Sequence, residues 1–358
     1  MLYFTKGLGD IVAAEVKEIT PTATVVKEGE RFLIVALSTA DAERLGTTAR
    51  TIDDLRLLVA GPARVRTEQD FSALCAAAAA AAETAVVLEA TSPGPSGGDA
   101  SHQPWSVTMS ARRPSWRSTP TWDPTPAIAK RLHGADVTTT TRRAVDLRIQ
   151  VDEDIAHVAV NLWEQPIGKR SDEQTTARPG ALRPTVAVAL VRLALSDVDL
   201  AVARSGVYDP FCGSGTIAAE AVRSGLRVYA SDIDETAVEV TRERLRPLMP
   251  ASQQEVADLR HQVFTHDVRR GPDPRVPARV LVGNMPWGKQ VKVDGHLALF
   301  DATALLVAHT VRHGGTAVLL TTHEEQFLPR LRRQRLRASA RRIGLLGQTP
   351  AIVIAGPA

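Results

Sequence analysis

Asp209-Pro210-Phe211-Cys212-Gly213-Ser214-Gly215-Thr216 is the stretch on which the reading of this chain turns. Residues 206–209 before it have the composition of a strand, and 217–224 after it have helical spacing. Glycines at alternate positions let the backbone of the intervening turn approach a ligand closely. No Gly-Lys-Ser/Thr follows, so the turn is not a phosphate-cradling P-loop. A dinucleotide fingerprint asks for a third glycine three positions after the second. Ala218 can stand there, so the turn alone leaves a dinucleotide and other nucleoside ligands open.

The next strand, 226–231, ends in Ser231-Asp232-Ile233-Asp234. A carboxylate at Asp232, 23 positions beyond Asp209, can accept hydrogen bonds from both hydroxyls of a ribose. Asp267, behind the strand 262–266, is placed to meet the amino group of an adenine. Any one of these acids is an ordinary strand-end residue; three at successive strand ends point to a single ligand.

The fourth strand, 279–283, runs into Asn284-Met285-Pro286-Trp287-Gly288-Lys289. An exocyclic amine on a purine is a poor nucleophile, because its lone pair is delocalised into the ring. Two acceptors can bind its N–H groups and turn the lone pair toward an electrophile. The Asn284 side-chain oxygen and the Met285 backbone carbonyl can be those acceptors. Pro286 stiffens the turn, and Trp287 offers a face for base stacking. An ordinary β-turn is the alternative.

Further out, helices at 185–195, 217–224, 236–245 and 297–311 alternate with strands at 206–209, 226–231, 262–266, 279–283 and 317–321. The alternation predicts a parallel, doubly wound sheet. Residues 343–346 and 351–354 read as a terminal β-hairpin that adds an antiparallel strand at one edge. The first 60 or so residues instead read βαββαβ: strands 2–5, 23–27, 32–37 and 55–59, helices 10–19 and 40–45, a ferredoxin-like pattern. An alanine-rich helix, 68–83, and a Gly/Pro/Ser loop, 92–98, follow. A strand at 105–110 then ends in Arg112-Arg113. A helix at 124–132 is opened by Asp123 as N-cap, with Pro124 at its first position. Strands at 146–151 and 157–162 flank the turn Asp152-Glu153-Asp154, and 165–183 has a linker's composition.

Composition agrees. The 358 residues are 44% hydrophobic and 23% charged, enough for packed cores in two or three domains. No stretch approaches the ~20 apolar residues of a membrane helix, and the start lacks a signal peptide's apolar block. Cys75 and Cys212 are read as unable to form a disulfide framework or a four-ligand zinc site. A soluble cytoplasmic protein is expected. The net charge of +3 permits a nucleic-acid partner without requiring one. Acids outnumber bases 14 to 9 over 1–104, and bases lead 12 to 9 over 105–184. Arg112 and Arg113 at one strand end, with Arg142 and Arg143 leading into another, are therefore candidate phosphate contacts. From Gln326 onward there is no acid but seven arginines, Arg330 to Arg342, read as a helix and then a strand. A solvated face and phosphate contacts both remain open for that run. Cys212 reads as a small apolar group inside the turn. His261, His266, His309, His313 and His323 have no metal-ligand spacing.

Taken together these motifs resemble the class I S-adenosylmethionine-dependent methyltransferases over about 183–358, including the terminal hairpin that separates them from dehydrogenases. Asp-Pro-Phe-Cys-Gly-Ser-Gly-Thr is similar to the amino-methylating branch, and Asn-Met-Pro-Trp resembles its Asp/Asn-Pro-Pro-Tyr/Phe motif. Met285 departs from the second position. An apolar residue there resembles the RNA guanine-N2 methyltransferases of the THUMP family, whereas DNA adenine methyltransferases keep proline. The departure leaves the chemistry intact, since only the Met285 carbonyl is used. The strand from Trp105 to Arg113 resembles the opening of a THUMP module, and Pro179-Gly180-Ala181-Leu182-Arg183-Pro184-Thr185 the segment before the catalytic domain.

The resemblance implies a Rossmann-like α/β methyltransferase domain at 183–358, preceded by a ferredoxin-like domain at 1–63, a THUMP-like RNA-binding domain at 64–165 and a linker at 166–182. It implies S-adenosylmethionine held by Asp209, Phe211, Gly213, Ser214, Gly215, Thr216, Asp232, Ile233, Asp267 and Asn284. The target base would stack on Trp287, with no metal and no covalent intermediate. The expected partner is RNA, tRNA before rRNA, gripped at its 3′ end by a monomeric protein. The rivals are an rRNA guanine or nucleic-acid adenine methyltransferase, a non-catalytic RNA-binding protein that keeps the fold, and a dehydrogenase.

Overall fold

The structure, a computed structural model, describes residues 1–90, 105–112, 123–132, 137–138, 145–161, 167–168, 180–249, 259, 262–286, 296–312, 314–345 and 347–358. The chain forms two compact units. One comprises Met1–Tyr3, Leu33–Ala36 and Asp54–Ile167; the other comprises Phe4–Phe32, Leu37–Asp53 and Gly168–Ala358. Among the described residues no helix is long and apolar enough to cross a membrane.

The first unit is α+β. Its strands are β1 (Leu2–Tyr3), β3 (Phe32–Ala36), β4 (Asp54–Arg64), β5 (Trp105–Arg112), β6 (Val137–Thr138), β7 (Val145–Asp152) and β8 (Ile155–Asn161), while β2 (Thr24–Glu28) falls in the second unit. They lie in the order β3-β1-β4-β8-β7-β5-β6. The acidic turn between β7 and β8 closes a hairpin in which Gln150 faces His157, with Glu153 at φ 57°. Helix α3 (Glu68–Ala90) and helix α4 (Thr125–Arg131) supply Phe71, Leu74, Ala78, Ala82 and Ile128 to a core with Trp105, Leu147, Ile149 and Val158. The small alanines of α3 allow close approach to the sheet. The N-cap of α4 is Pro124, one residue later than expected, yet Asp123 still serves the helix start: its carboxylate accepts the Thr125 N–H at 2.9 Å. Arg56, buried in this unit, is satisfied by Asp54 at 2.7 Å and Asp146 at 2.6 Å, so its charge does not stand alone.

The second unit carries the doubly wound sheet. Its strands are β9 (Val207–Asp209), β10 (Val228–Asp232), β11 (Val263–Thr265), β12 (Val280–Asn284), β13 (Thr316–Thr321), β14 (Leu336–Arg342) and β15 (Ala351–Pro357), in the order β11-β10-β9-β12-β13-β15-β14. Strands β9 to β13 pair in parallel, and β15 is antiparallel to both β13 and β14. Helices α5 (Pro184–Leu195), α7 (Thr216–Arg223) and α8 (Glu235–Leu245) share one core with inward residues of these strands; α6 (Leu200–Arg204) lies just before β9. Helices α9 (His296–Val311) and α10 (Glu324–Arg333) share a second core with the other face. The terminal hairpin is therefore real but differently placed. It pairs 336–342 with 351–357; beyond it the described residues of 343–350 hold the Ile343 N–H to Pro350 O bond and the bridge from Leu345 to Gln348. The antiparallel strand β15 sits one place inside the edge. The arginine run is the expected helix and strand, α10 and β14, turning at Arg335 with φ 59°.

Helices α1 (Gly9–Ile19) and α2 (Thr39–Thr48) belong to this same unit. The stretch 1–63 is thus divided between the units, whereas 183–358 lies wholly in the second. The reason is visible in the contacts. Leu8 and Ile11 join the core of α5 and α7. Arg50 forks onto Glu220 of α7 at 2.6 and 2.7 Å, and Arg223 meets the same carboxylate at 2.9 Å. Glu220 is only 1% exposed, so this bidentate pairing is what makes its charge tolerable there.

Candidate active site

Parallel strands carry their C-terminal ends to one rim, and β9 stands between β10 and β12, where the chain path reverses direction across the sheet. That is the crevice in which open α/β sheets hold ligands. Asp209, Asp232 and Asn284 end these three neighbouring strands, and Asp267 follows β11 beside β10.

The glycine turn is tied to this rim. The Cys212 N–H donates to Ser231 O at 2.9 Å, and the Gly213 N–H to Asp232 Oδ2 at 2.9 Å. Gly213 has φ 53°, and an added Cβ would make only an ordinary contact with the Phe211 carbonyl at 4.0 Å, so it is the backbone that requires glycine. At Gly215, φ is 74° and a Cβ would lie 3.0 Å from the Thr241 side chain, so both backbone and space require it. The second oxygen of Asp232 accepts the Asp234 N–H at 3.0 Å. The carboxylate is thus held by two peptide donors, one on each oxygen. Beside it Ile233 is 60% exposed, an apolar side chain left open at the rim.

Asp209 is 1% exposed, and its Oδ1 accepts the Phe211 N–H at 3.1 Å. Burial pushes its carboxyl up from 3.8 to about 8; the Phe211 N–H opposes this and the Asp232 charge adds to it. A carboxyl whose folded pKa lies above its unfolded value favours the native state most at acid pH. Its contribution is lost as pH rises from 3.8 toward about 8. Asp209→Asn is therefore expected to flatten the fall in stability across that window. Urea midpoints of both proteins at about pH 5 and about pH 8 check this, and an identical fall in the two would refute it.

Ser214 and Thr216 are buried, and Arg244 donates to Ser214 O and to Thr216 Oγ1, each at 3.0 Å. Phe211 is half-buried and lies close to Gly283. Asp267 caps the short 3₁₀ turn Val268–Arg270 and is gripped by Arg269 Nε at 2.9 and 3.0 Å. The Arg269 hydrogen bond holds this carboxyl below the usual carboxylate range. Arg269 was not among the expected site residues, because pairing between side chains two positions apart leaves no mark in the spacing.

Asn284 is half-buried at the end of β12, and its Nδ2 donates to the Gly180 carbonyl at 3.4 Å. The Met285 N–H donates to Leu320 O at 3.0 Å and its side chain is fully buried, so this peptide is held in line with the sheet. Pro286 is half-buried. Trp287, Arg113, Arg142 and Arg143 lie outside the described residues, as do His261 and His313. Arg112 is described by its backbone, which faces Asp152 across β5 and β7. Cys212 is buried, which pushes its thiol well up, and the Thr241 hydroxyl reaches its Sγ at 3.4 Å. A thiol in that state is no nucleophile.

The strand order and this rim define a class I methyltransferase. Residues 172–351 match the model of the RMKL-like methyltransferase domain, and the chain belongs to that family. A tRNA (guanine(6)-N2)-methyltransferase of Thermus thermophilus is 41% identical over 107 residues, 28% of this chain and 29% of that protein. The type II methyltransferase M.VspI of a Vibrio species is 30% identical over 99 residues, 27% of this chain and 23% of that protein. The matched stretches thus span less than a third of either curated relative. A crystal structure of TrmN from Thermus thermophilus superposes with a TM-score of 0.66 at 22% identity, covering 100% of this chain and 98% of that one. That last likeness is one of fold. The methyl donor is S-adenosylmethionine, and the residues present fit it: Asp232 is pre-oriented for a ribose, and the glycine turn hydrogen-bonded to it brings no side chain at 213.

Proposed function

We propose that the protein methylates the exocyclic N2 of a guanosine in RNA, with tRNA as its substrate, acting as a monomer in the cytoplasm. The observation that carries this reading is Asn284 at the end of β12, its amide donating through Nδ2 to Gly180. That donation leaves Oδ1 as the acceptor end of the amide, beside the peptide of Met285.

S-adenosylmethionine supplies an electrophilic sulfonium methyl. Asn284 Oδ1 and the Met285 carbonyl accept the two amine hydrogens, which draws the lone pair out of the ring and aims it. Pro286 limits the freedom of that turn, and Trp287 gives the base a face to stack on. The base leaves its helix at a cost of a few kcal/mol. The amine loses its proton after attack, so no strong base is needed, and positioning carries the catalysis. Asp232 holds the ribose and Asp267 meets the adenine of the donor. The Thermus relative, named for guanine-N2 methylation of tRNA, supports the choice of amine and of RNA. An adenine amine would use the same two acceptors and is the second reading.

Labelled S-adenosylmethionine incubated with bulk tRNA or rRNA, followed by digestion to nucleosides, tests this. N2-methylguanosine from tRNA is the expected product. Methyladenosine would shift the reading to adenine, and no transfer to any RNA would refute it.

We also assign the RNA grip to the THUMP-like stretch 64–165. Arg112→Ala with Arg113→Ala is expected to weaken RNA binding and to flatten its salt dependence by about one or two units, because fewer counterions are released. Filter binding at several salt concentrations measures this. An unchanged slope and affinity would leave the pair as solvated surface.

A further inference from the structure

Asn284 serves an amine only if its amide stands the right way round. The two ends of an amide are nearly equal in size, so shape alone does not choose between them. Here Nδ2 faces the Gly180 carbonyl at 3.4 Å. The flipped amide would set oxygen against oxygen at that separation, with no hydrogen between them. The Gly180 carbonyl therefore favours the orientation in which Oδ1 is the acceptor end turned away from it.

The Gly180 carbonyl is aimed by a backbone at φ 84°, a region strained for any residue with a Cβ. Leu182 packs into the core of α5 and α7, and α5 begins at Pro184. Next along the chain, the Thr185 hydroxyl donates to Asp53 Oδ1 at 2.7 Å, and Arg183 Nη1 lies 3.5 Å from Asp53 Oδ2. The Asp53 carbonyl also accepts the Gly168 N–H at 3.0 Å. A Cβ on Gly168 would come within 2.9 Å of the Asp53 Cα, so the chain passes there in close contact. One residue of the N-terminal segment thus grips the chain before Gly180 and after it. All these residues belong to the same compact unit.

We infer that Asp53 is a positioning residue for methyl transfer: by tying down 183 and 185 it fixes the Gly180 carbonyl, and through it the orientation of the Asn284 amide. This rests on the amine-methylating reading of the site. Asp53 acts through Gly180 and Asn284, not on the reacting atoms.

The test uses the full chain with saturating S-adenosylmethionine and bulk tRNA. Asp53→Ala and Thr185→Val are each expected to lower kcat by on the order of 10- to 100-fold, the loss that slight misplacement of a reacting group causes. Calorimetric affinity for S-adenosylmethionine should stay at the wild-type value, which shows that the variants are folded. Thr185→Ser keeps the hydroxyl and should restore kcat, and Gly180→Ala should reproduce the loss by moving the carbonyl. A structural role alone would lower the folded fraction and leave kcat per cofactor-binding site unchanged; that result overturns the proposal.

A second readout needs no turnover. The Asn284 side-chain NH2 signals in nitrogen-edited NMR, identified by their loss in Asn284→Ala, should shift in Asp53→Ala and Thr185→Val but not in Thr185→Ser. Signals that stay in place in all three variants overturn the proposal. A wild-type protein that methylates no RNA would count against the amine-methylating reading itself, and the NMR shifts would still decide whether Asp53 controls the amide.

Discussion

Asn284→Ala is expected to lower kcat by on the order of 100- to 1000-fold, the range seen when one preorganised hydrogen-bonding group at a reacting centre is removed. Affinity for S-adenosylmethionine should hardly change. The variant keeps Asp232, whose carboxylate is fixed by Gly213 and Asp234, but loses the acceptor that turns the amine. Single-turnover rates at saturating cofactor, beside calorimetric binding, separate the two effects. Near wild-type turnover would rule out the amine-orienting role. A joint fall in affinity and rate would instead make Asn284 part of the cofactor site. Asn284→Asp keeps an acceptor at both ends of the side chain and should retain part of the activity.

Asp232→Ala is expected to weaken S-adenosylmethionine binding by about 1–3 kcal/mol, on the order of 5- to 150-fold in Kd. Two losses add here. The ribose hydroxyls lose their acceptor, and the peptide N–H groups of Gly213 and Asp234 lose the carboxylate that holds the turn and the strand end together. Asp232→Asn keeps one acceptor end but turns an N–H toward one of those peptide donors, so it should fall between. Unchanged affinity in the alanine variant would overturn the ribose assignment.

Much of the catalytic half is legible because its signals are short-range. Positive-φ positions call for glycine at 213 and 215, and apolar strand patterns call for β9, β10, β12 and β13. The acids and Asn284 follow directly at the ends of those strands. Strand β14 was harder to read as half of the terminal hairpin. It is a largely exposed strand carrying Arg337, Arg341 and Arg342, so no apolar alternation announces its pairing with β15. The apolar pattern of 343–346 suggests that strand instead, though the described residues there form an isolated bridge, not a strand.

The parallel α/β core, the glycine turn and the strand-end positions of Asp209, Asp232 and Asn284 are legible in the chain, because each depends on a few consecutive residues and their backbone geometry. Only the tertiary structure decided that 4–32 and 37–53 belong with the catalytic unit, that Arg50 answers the buried Glu220, and that Asp53 and Gly180 stand behind Asn284. These partners lie 104 positions apart for Gly180 and Asn284, 132 for Asp53 and Thr185, and 170 for Arg50 and Glu220. A hydrogen bond or ion pair at such separation depends on the path of the whole chain, and side-chain polarity alone carries no record of which distant partner that path will bring.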